Sequence, residues 1–189
     1  AFGGTADTLD FGVQDTTPPV VQSITRLDPD PTNAAQVRFQ VTFSDPVTGF
    51  DATDAAVVVT PTTGSLVGAS VAGITGGGAV YTVTLNSPTG TGAGTLGLTV
   101  LDNDSITDAA GTPLGGPAAG DGTFTAGETY TIDRAAPTVT IDQAAAQADP
   151  TGGSSVAFEV HFSEPVTGFT AAGVSLAGSS ATGAVTVTG

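Results

Sequence analysis

Cysteine, tryptophan and lysine are absent from this chain of 189 residues, and histidine occurs once, at His161. Without cysteine there is no disulfide framework and no catalytic thiol. The lone histidine cannot build a zinc site or a Ser-His-Asp triad, and the serines have no base to activate them. Gly76-Gly77-Gly78 comes with no lysine and no strand-to-helix context, so it reads as a hairpin loop and not as a phosphate cradle. Positive charge is nearly missing as well: Arg26, Arg38 and Arg134 stand against 18 Asp and Glu, a formal net charge of −15. Such a chain repels phosphate backbones and anionic headgroups, so nucleic acid and bare membrane surfaces are poor partners and divalent cations natural ones. No signal-type segment and no apolar run near about 18 residues occurs, so nothing in these residues reads as a membrane-spanning helix.

What the chain does contain is Gly, Thr, Ala, Val and Pro in quantity, the composition of many short strands and turns. It also contains a repeat. Phe-Ser-Asp-Pro-Val-Thr-Gly-Phe at Phe43 to Phe50 returns 119 residues later as Phe-Ser-Glu-Pro-Val-Thr-Gly-Phe at Phe162 to Phe169. In the same register Val20 falls on Val139, Asp30-Pro31-Thr32 on Asp149-Pro150-Thr151, Phe39 on Phe158, and Phe11 and Val13 on Tyr130 and Ile132. An internal period decides what counts as a unit. Residues 1–15 then read as the last strand of a preceding repeat, 16–134 as one complete repeat, and 135–189 as the first part of a following one. The ends are those of a segment from a longer array, or of a subunit completed by its neighbours.

Within the complete repeat, Val20–Thr25 suits a first strand and Leu27–Asn33 a turn. Gln36–Ser44 is the cleanest strand: Val37, Phe39, Val41 and Phe43 share one face, Arg38, Gln40, Thr42 and Ser44 the other. The second copy changes the outward residues to Ala157, Glu159 and His161 while keeping the inward ones, which marks the buried face. Asp45–Gly49 is expected to turn the chain. Ala56–Thr60, a weak region at Ser65–Ile74, Ala79–Leu85, Thr95–Val100 and Thr129–Asp133 supply further strands, and Asp102–Glu128 has no detectable period. Short strands, no helical stripe and a unit of this length indicate an all-β, antiparallel β-sandwich of about seven strands, with a barrel as the alternative. In the third unit Val156–Phe162, Gly173–Leu176 and Ala184–Val187 are the expected strands.

Three motifs carry a family resemblance: Tyr-Thr-Ile-Asp followed by Ala-Pro-Thr-Val at Tyr130 to Val139, Asp-Pro-Thr before a Val-x-Phe-x-Val-x-Phe strand, and Phe-Ser-Asp/Glu-Pro-Val-Thr-Gly-Phe. With Asn103 to Gly111 and Gly127 to Tyr130, they resemble the tandem bacterial immunoglobulin-like (Big-type) repeats of large surface and adhesin proteins. The resemblance implies tandem immunoglobulin-like sandwiches that space, stiffen and display, outside the cell or on its surface, with no one ligand and no enzymatic activity.

The acidic loop is the main site candidate. Asp102, Asn103, Asp104, Asp108 and Asp121 bring hard oxygen ligands into a long loop, and calcium takes about six to eight such oxygens. The EF-hand spacing fails at Ile106. The competing reading is a solvated loop pinned by its own side-chain turns. Asp45 and Glu164 occupy matching positions and read as turn residues; as a glycosidase pair they would lack substrate-stacking aromatics. His161 matches the outward Thr42 and is expected in solvent. The absence of lysine leaves sheet edges without their usual guard, so that Pro, Gly and Asp protect them or the edges pair with another copy. Three functions follow: a spacer and display repeat partnered by adjacent repeats, with calcium as the one conceivable cofactor; a subunit of a self-assembling filament or sheath of identical copies; and, least supported, a carbohydrate-binding module. The sequence names no receptor.

Overall fold

The computed structural model describes residues 15–178 and 183–189. The strand expected at Leu9–Val13 lies outside the described residues. The chain divides between Ala135 and Ala136 into two compact units.

In the first unit the described residues form β1 (Val21–Arg26), β2 (Gln36–Thr48), β3 (Ala55–Thr63), β4 (Leu66–Val67), β5 (Ser70–Asn86), β6 (Thr89–Gly90), β7 (Ala93–Val100), β8 (Thr107–Asp108) and β9 (Thr129–Asp133). One antiparallel sheet runs β1-β2-β5, with β8 on the far end of β2. A second runs β3-β7-β9, and β4 pairs with β6 in a short ribbon. β5 folds back on itself: Asn86 Nδ2 donates to Ser70 Oγ at 3.0 Å across the run, and Gly76 takes φ +123 where a side chain would meet the Val80 carbonyl. The Gly76–Gly78 hairpin read from the sequence is therefore present within it.

The alternation in β2 places Val37, Phe39, Val41 and Phe43 inside, each at most 1% exposed. They meet Leu96, Leu98, Tyr130 and Ile132 from the other sheet in one core, so the two sheets form a sandwich and not a closed barrel. Each of those β2 side chains contributes about 1.5–3 kcal/mol by burial. Phe39 of β2 meets the Tyr130 ring edge-on at 5.0 Å between centroids. Burial raises the Tyr130 pKa, and its hydroxyl is fully used. It donates to Arg38 O at 2.7 Å and accepts from Leu27 N and Asp28 N at 3.1 and 2.9 Å.

Two expectations are corrected here. The turn expected at Asp45–Gly49 is a break in register: β2 pairs with β5 up to Thr42, slips past Pro46, and resumes at Val47, which pairs with Gly78 and with Asp108 of β8. Proline has no N–H for the ladder, but burial of Val47 to 2% exposure pulls the strand back into the sheet. The reversal comes at Gly49, whose φ of +88 and approach to the Ser105 carbonyl exclude a side chain. The region Asp102–Glu128, expected without regular structure, contains β8 and an antiparallel bridge between Val100 and Phe124.

The described residues of the second unit form β10 (Val139–Gln143) and β11 (Phe158–Phe162), paired antiparallel from Val139 opposite Phe162 to Gln143 opposite Phe158, and a 3₁₀ turn at Ala171–Gly173. The strands expected at Gly173–Leu176 and Ala184–Val187 are not formed: among the described residues no neighbouring strand offers them a ladder. The face expected to be buried in both copies is buried only in the first: Phe158 and Val156, aligned with the buried Phe39 and Val37, are 62% and 53% exposed. The strand registers of the two units match with one correction. Ser44 N donates to Val20 O and Ser44 Oγ accepts Val20 N at 2.9 Å; Ser163 does the same to Thr138, its Oγ also at 2.9 Å. Thr138, not Val139, is thus the counterpart of Val20: the stretch from Ile141 to Asp149 is two residues longer than that from Ile24 to Asp30, and the bulge between Val21 and Ser23, which β10 lacks, takes back one of the two.

Replacing Tyr130 by Phe leaves the Asp28 N–H unpaired in a partly buried place and takes a second partner from Leu27 N and Arg38 O, which keep their own bond at 3.0 Å. Urea unfolding of Tyr130→Phe is expected to show a loss of about 1–3 kcal/mol with an unchanged m-value.

Candidate functional site

The acidic loop begins where β7 ends, and its position is set by apolar anchors. Ile106 and Leu114 are at most 1% exposed, joined by Leu114 N to Ile106 O at 2.9 Å, and Gly115 N donates to Pro19 O at 2.8 Å. Phe124 and Val100 exchange both backbone bonds and close the loop's far side. Isolated apolar residues in a polar stretch were the available sequence signal for these anchors.

The carboxylates fold inward onto backbone. Asp102, 8% exposed, accepts from Asp104 N through Oδ1 at 3.1 Å and from Gly120 N and Gly122 N through Oδ2 at 2.9 and 3.1 Å. Burial opposes its ionisation, but these N–H groups together with Asp121 outweigh burial and hold its pKa below the usual carboxylate value. Asp108 accepts from Ala110 N and Thr112 N through Oδ1, both at 2.8 Å, and the Thr112 N–H above all lowers its pKa. Asn103 Oδ1 takes Ser105 N at 2.9 Å, and Asp121 Oδ2 takes Ala118 N at 3.4 Å. Asp104 sits at φ +65, a conformation Asp tolerates. Two buried oxygens, Asp104 Oδ1 and Asp108 Oδ2, have no hydrogen-bond partner.

The structure thus joins Asp102, Asp104 and Asp121 through the hydrogen bonds around Asp102, while Asp108 and Asn103 each close a local turn of their own. Among the described residues no three His, Asp or Glu side chains converge on a point that could hold a metal ion. The sequence reading missed Asp54. Fully buried, it accepts Asp51 N through Oδ2 and the Ser105 hydroxyl through Oδ1, both at 2.9 Å, and so braces the β2–β3 turn against the acidic loop. Asp51 in turn holds the Thr53 hydroxyl and N–H, which lower its pKa.

Asp45 accepts no backbone bond; its Oδ2 takes the Ser44 hydroxyl at 2.6 Å. His161 is exposed, 3.5 Å from Glu159. A shallow groove of about 100 Å³ lies over Gly97, lined by Val58, Thr60, Thr95, Thr99 and Thr129. Small-molecule pockets run from about 300 to 1,000 Å³, so this groove is below ligand size. No family model, characterised protein or solved structure matches the chain.

The depressed carboxylates set a pH dependence. Asp28 (through Arg38), Asp51, Asp102 and Asp108 all titrate below their ordinary value of 3.8 in the folded state. The unfolded chain therefore binds more protons as pH falls through that value, and stability that is full above it is lost below it. Chemical unfolding is expected to give a plateau at neutral pH and a fall below about pH 4, with Asp102→Ala about 1.5–3 kcal/mol less stable at pH 7 and less pH-sensitive.

Proposed function

We propose that the chain is a repeat segment of a bacterial extracellular or cell-surface protein whose work is mechanical: immunoglobulin-like modules that space and display. The observation that carries this reading is the recurrence of one local design in both units. The octapeptide's terminal phenylalanines meet edge-on each time, Phe43 with Phe50 at 5.5 Å and 73°, Phe162 with Phe169 at 5.2 Å and 74°. The preceding strand is capped each time by the octapeptide's serine. Duplicating a closed structural motif while its outward residues drift is what a scaffold selects, since packing constrains the inward face and nothing constrains the other.

Further support comes from the sheets. With β5 counted as two arms, the orders β1-β2-β5 and β3-β7-β9 are compatible with the four-plus-three arrangement of immunoglobulin-like sandwiches. The acidic loop fits the same reading without a catalytic task, because its carboxylates accept backbone N–H groups. Calcium enters only as a stiffener that would satisfy the free oxygens of Asp104 and Asp108. The placement outside the cell rests on the resemblance and on the lack of cysteine.

Force spectroscopy on concatenated copies of the chain tests the proposal. Evenly spaced unfolding events, one per complete module, are expected; a single irregular release of all copies would sink it. For the loop, the thermal midpoint is expected to differ by less than about 2 °C between chelator and millimolar calcium. A rise of about 4 °C or more, near 1 kcal/mol for a domain of this size, would assign the cation a structural role.

A further inference from the structure

We propose that β3 is a self-pairing edge through which two copies of this chain associate, β3 against β3, antiparallel about a two-fold axis. Three of the sandwich's four lateral edges differ from it. The outer edge of β9 is occupied by the segment before β2: Thr32 N donates to Thr131 O at 2.9 Å, and Asp30 Oδ1 accepts Thr131 N at 2.5 Å. The outer edge of β1 is held by Glu128, whose N–H donates to Ile24 O at 3.0 Å and whose Oε2 accepts Arg26 N at 2.7 Å. The first arm of β5 carries Gly73, which has no side chain to pack across a strand pair. β3 presents a glycine-free stretch in unbroken register with β7 from Ala55 to Thr60. Among the described residues no hydrogen bond reaches its other edge from another strand or loop.

Its chemistry names the partner. An unpaired strand edge is satisfied by another strand, and Ala-Ala-Val-Val-Val-Thr has the β-branched, uncharged character that pairs readily. Pro61 limits the pairing stretch, having no N–H to offer. Val58, 46% exposed on the outer face, has no charged neighbour to discourage approach. No Asp, Glu, Lys, Arg or His occurs from Ala55 to Leu101, so β3, β4, β5, β6 and β7 form a neutral band in a chain of net charge −15. Along this band two such chains meet without opposing carboxylates, and two-fold pairing needs no second, complementary surface. The pair would join two three-stranded sheets into one of six. With about six residues a side the contact belongs to the weak, transient size class.

The same charge fixes the salt response. The remaining carboxylates repel at long range, and that repulsion is screened as the Debye length shrinks from about 30 Å at 0.01 M salt to about 3 Å at 1 M. The inference rests on the two-sheet fold and the charge map, not on the display reading, so failure of one leaves the other standing.

Sedimentation velocity of the intact chain over a concentration series at low and high salt is the test. A monomer–dimer equilibrium is expected that shifts toward dimer as salt rises. Val58→Lys is expected to weaken the dimer at least tenfold, with the unfolding midpoint unchanged because Val58 is outside the core. The exposed apolar residues of β10 and β11 provide the competing surface, Ile141 and Phe158 each being 62% exposed, so Ile141→Lys is run beside it and is expected to leave the dimer intact. A chain that stays monomeric at 1 M salt overturns the proposal. So does a dimer abolished by Ile141→Lys and untouched by Val58→Lys.

Discussion

The two sheets of the first unit are locked by one side chain. Tyr130 enters the core from β9, rests edge-on against Phe39 of β2, and spends its hydroxyl on Leu27, Asp28 and Arg38 at the β1–β2 reversal. A tyrosine serves here because it delivers apolar area and a polar tip from one rigid body. Around it stand ion pairs that are partly solvated: Arg26 with Asp30 at 2.5 Å and Arg38 with Asp28 at 2.7 Å. Exposed pairs of this kind add little free energy singly. They orient the reversal so that its N–H groups face the phenol, and the hydroxyl then fixes the distance between the sheets.

Much of this was legible from residue order. The face Val37-Phe39-Val41-Phe43 is where alternation places it, and the all-β antiparallel sandwich followed from short alternating segments with no helical stripe. What was not legible depended on partners remote in sequence. Pro46 reads as a strand breaker, and only the burial of Val47 beside β8 shows the strand resuming after it. Ile106 and Leu114 are single apolar residues in a polar stretch, a signal that without a period does not say what they pack against. The one-residue offset between Val20 and Thr138 is what remains when a connection two residues longer in the second unit is set against a one-residue bulge in β1, and neither is marked by the identity of the neighbouring residues.

The candidate site was legible in its residues and not in its geometry. Asp102, Asn103, Asp104, Asp108 and Asp121 were named as candidate oxygen ligands for calcium; in the structure the side chains of Asp102, Asn103, Asp108 and Asp121 accept backbone N–H groups, and Asp104 lends its own N–H to Asp102. The sequence cannot distinguish a carboxylate aimed at a cation from one bent back on its own turn, since both favour Asp and Asn beside Gly. Asp54 escaped notice for a related reason: its brace on Ser105 spans 51 residues, and no local spacing encodes it.

The three arginines are each tied into the first unit: Arg26 to Asp30 and the Thr129 carbonyl, Arg38 to Asp28, Arg134 to the Ala34 carbonyl. With no lysine in the chain, they are also its only cleavage points for digestive enzymes that cut after basic residues. Two of the three peptide bonds begin in or at the end of a paired strand, and the third follows β9, where Arg134 N is bonded to the Gly92 carbonyl. A folded copy therefore offers such enzymes no slack loop to seize, a form of endurance that needs neither cross-link nor bound ion.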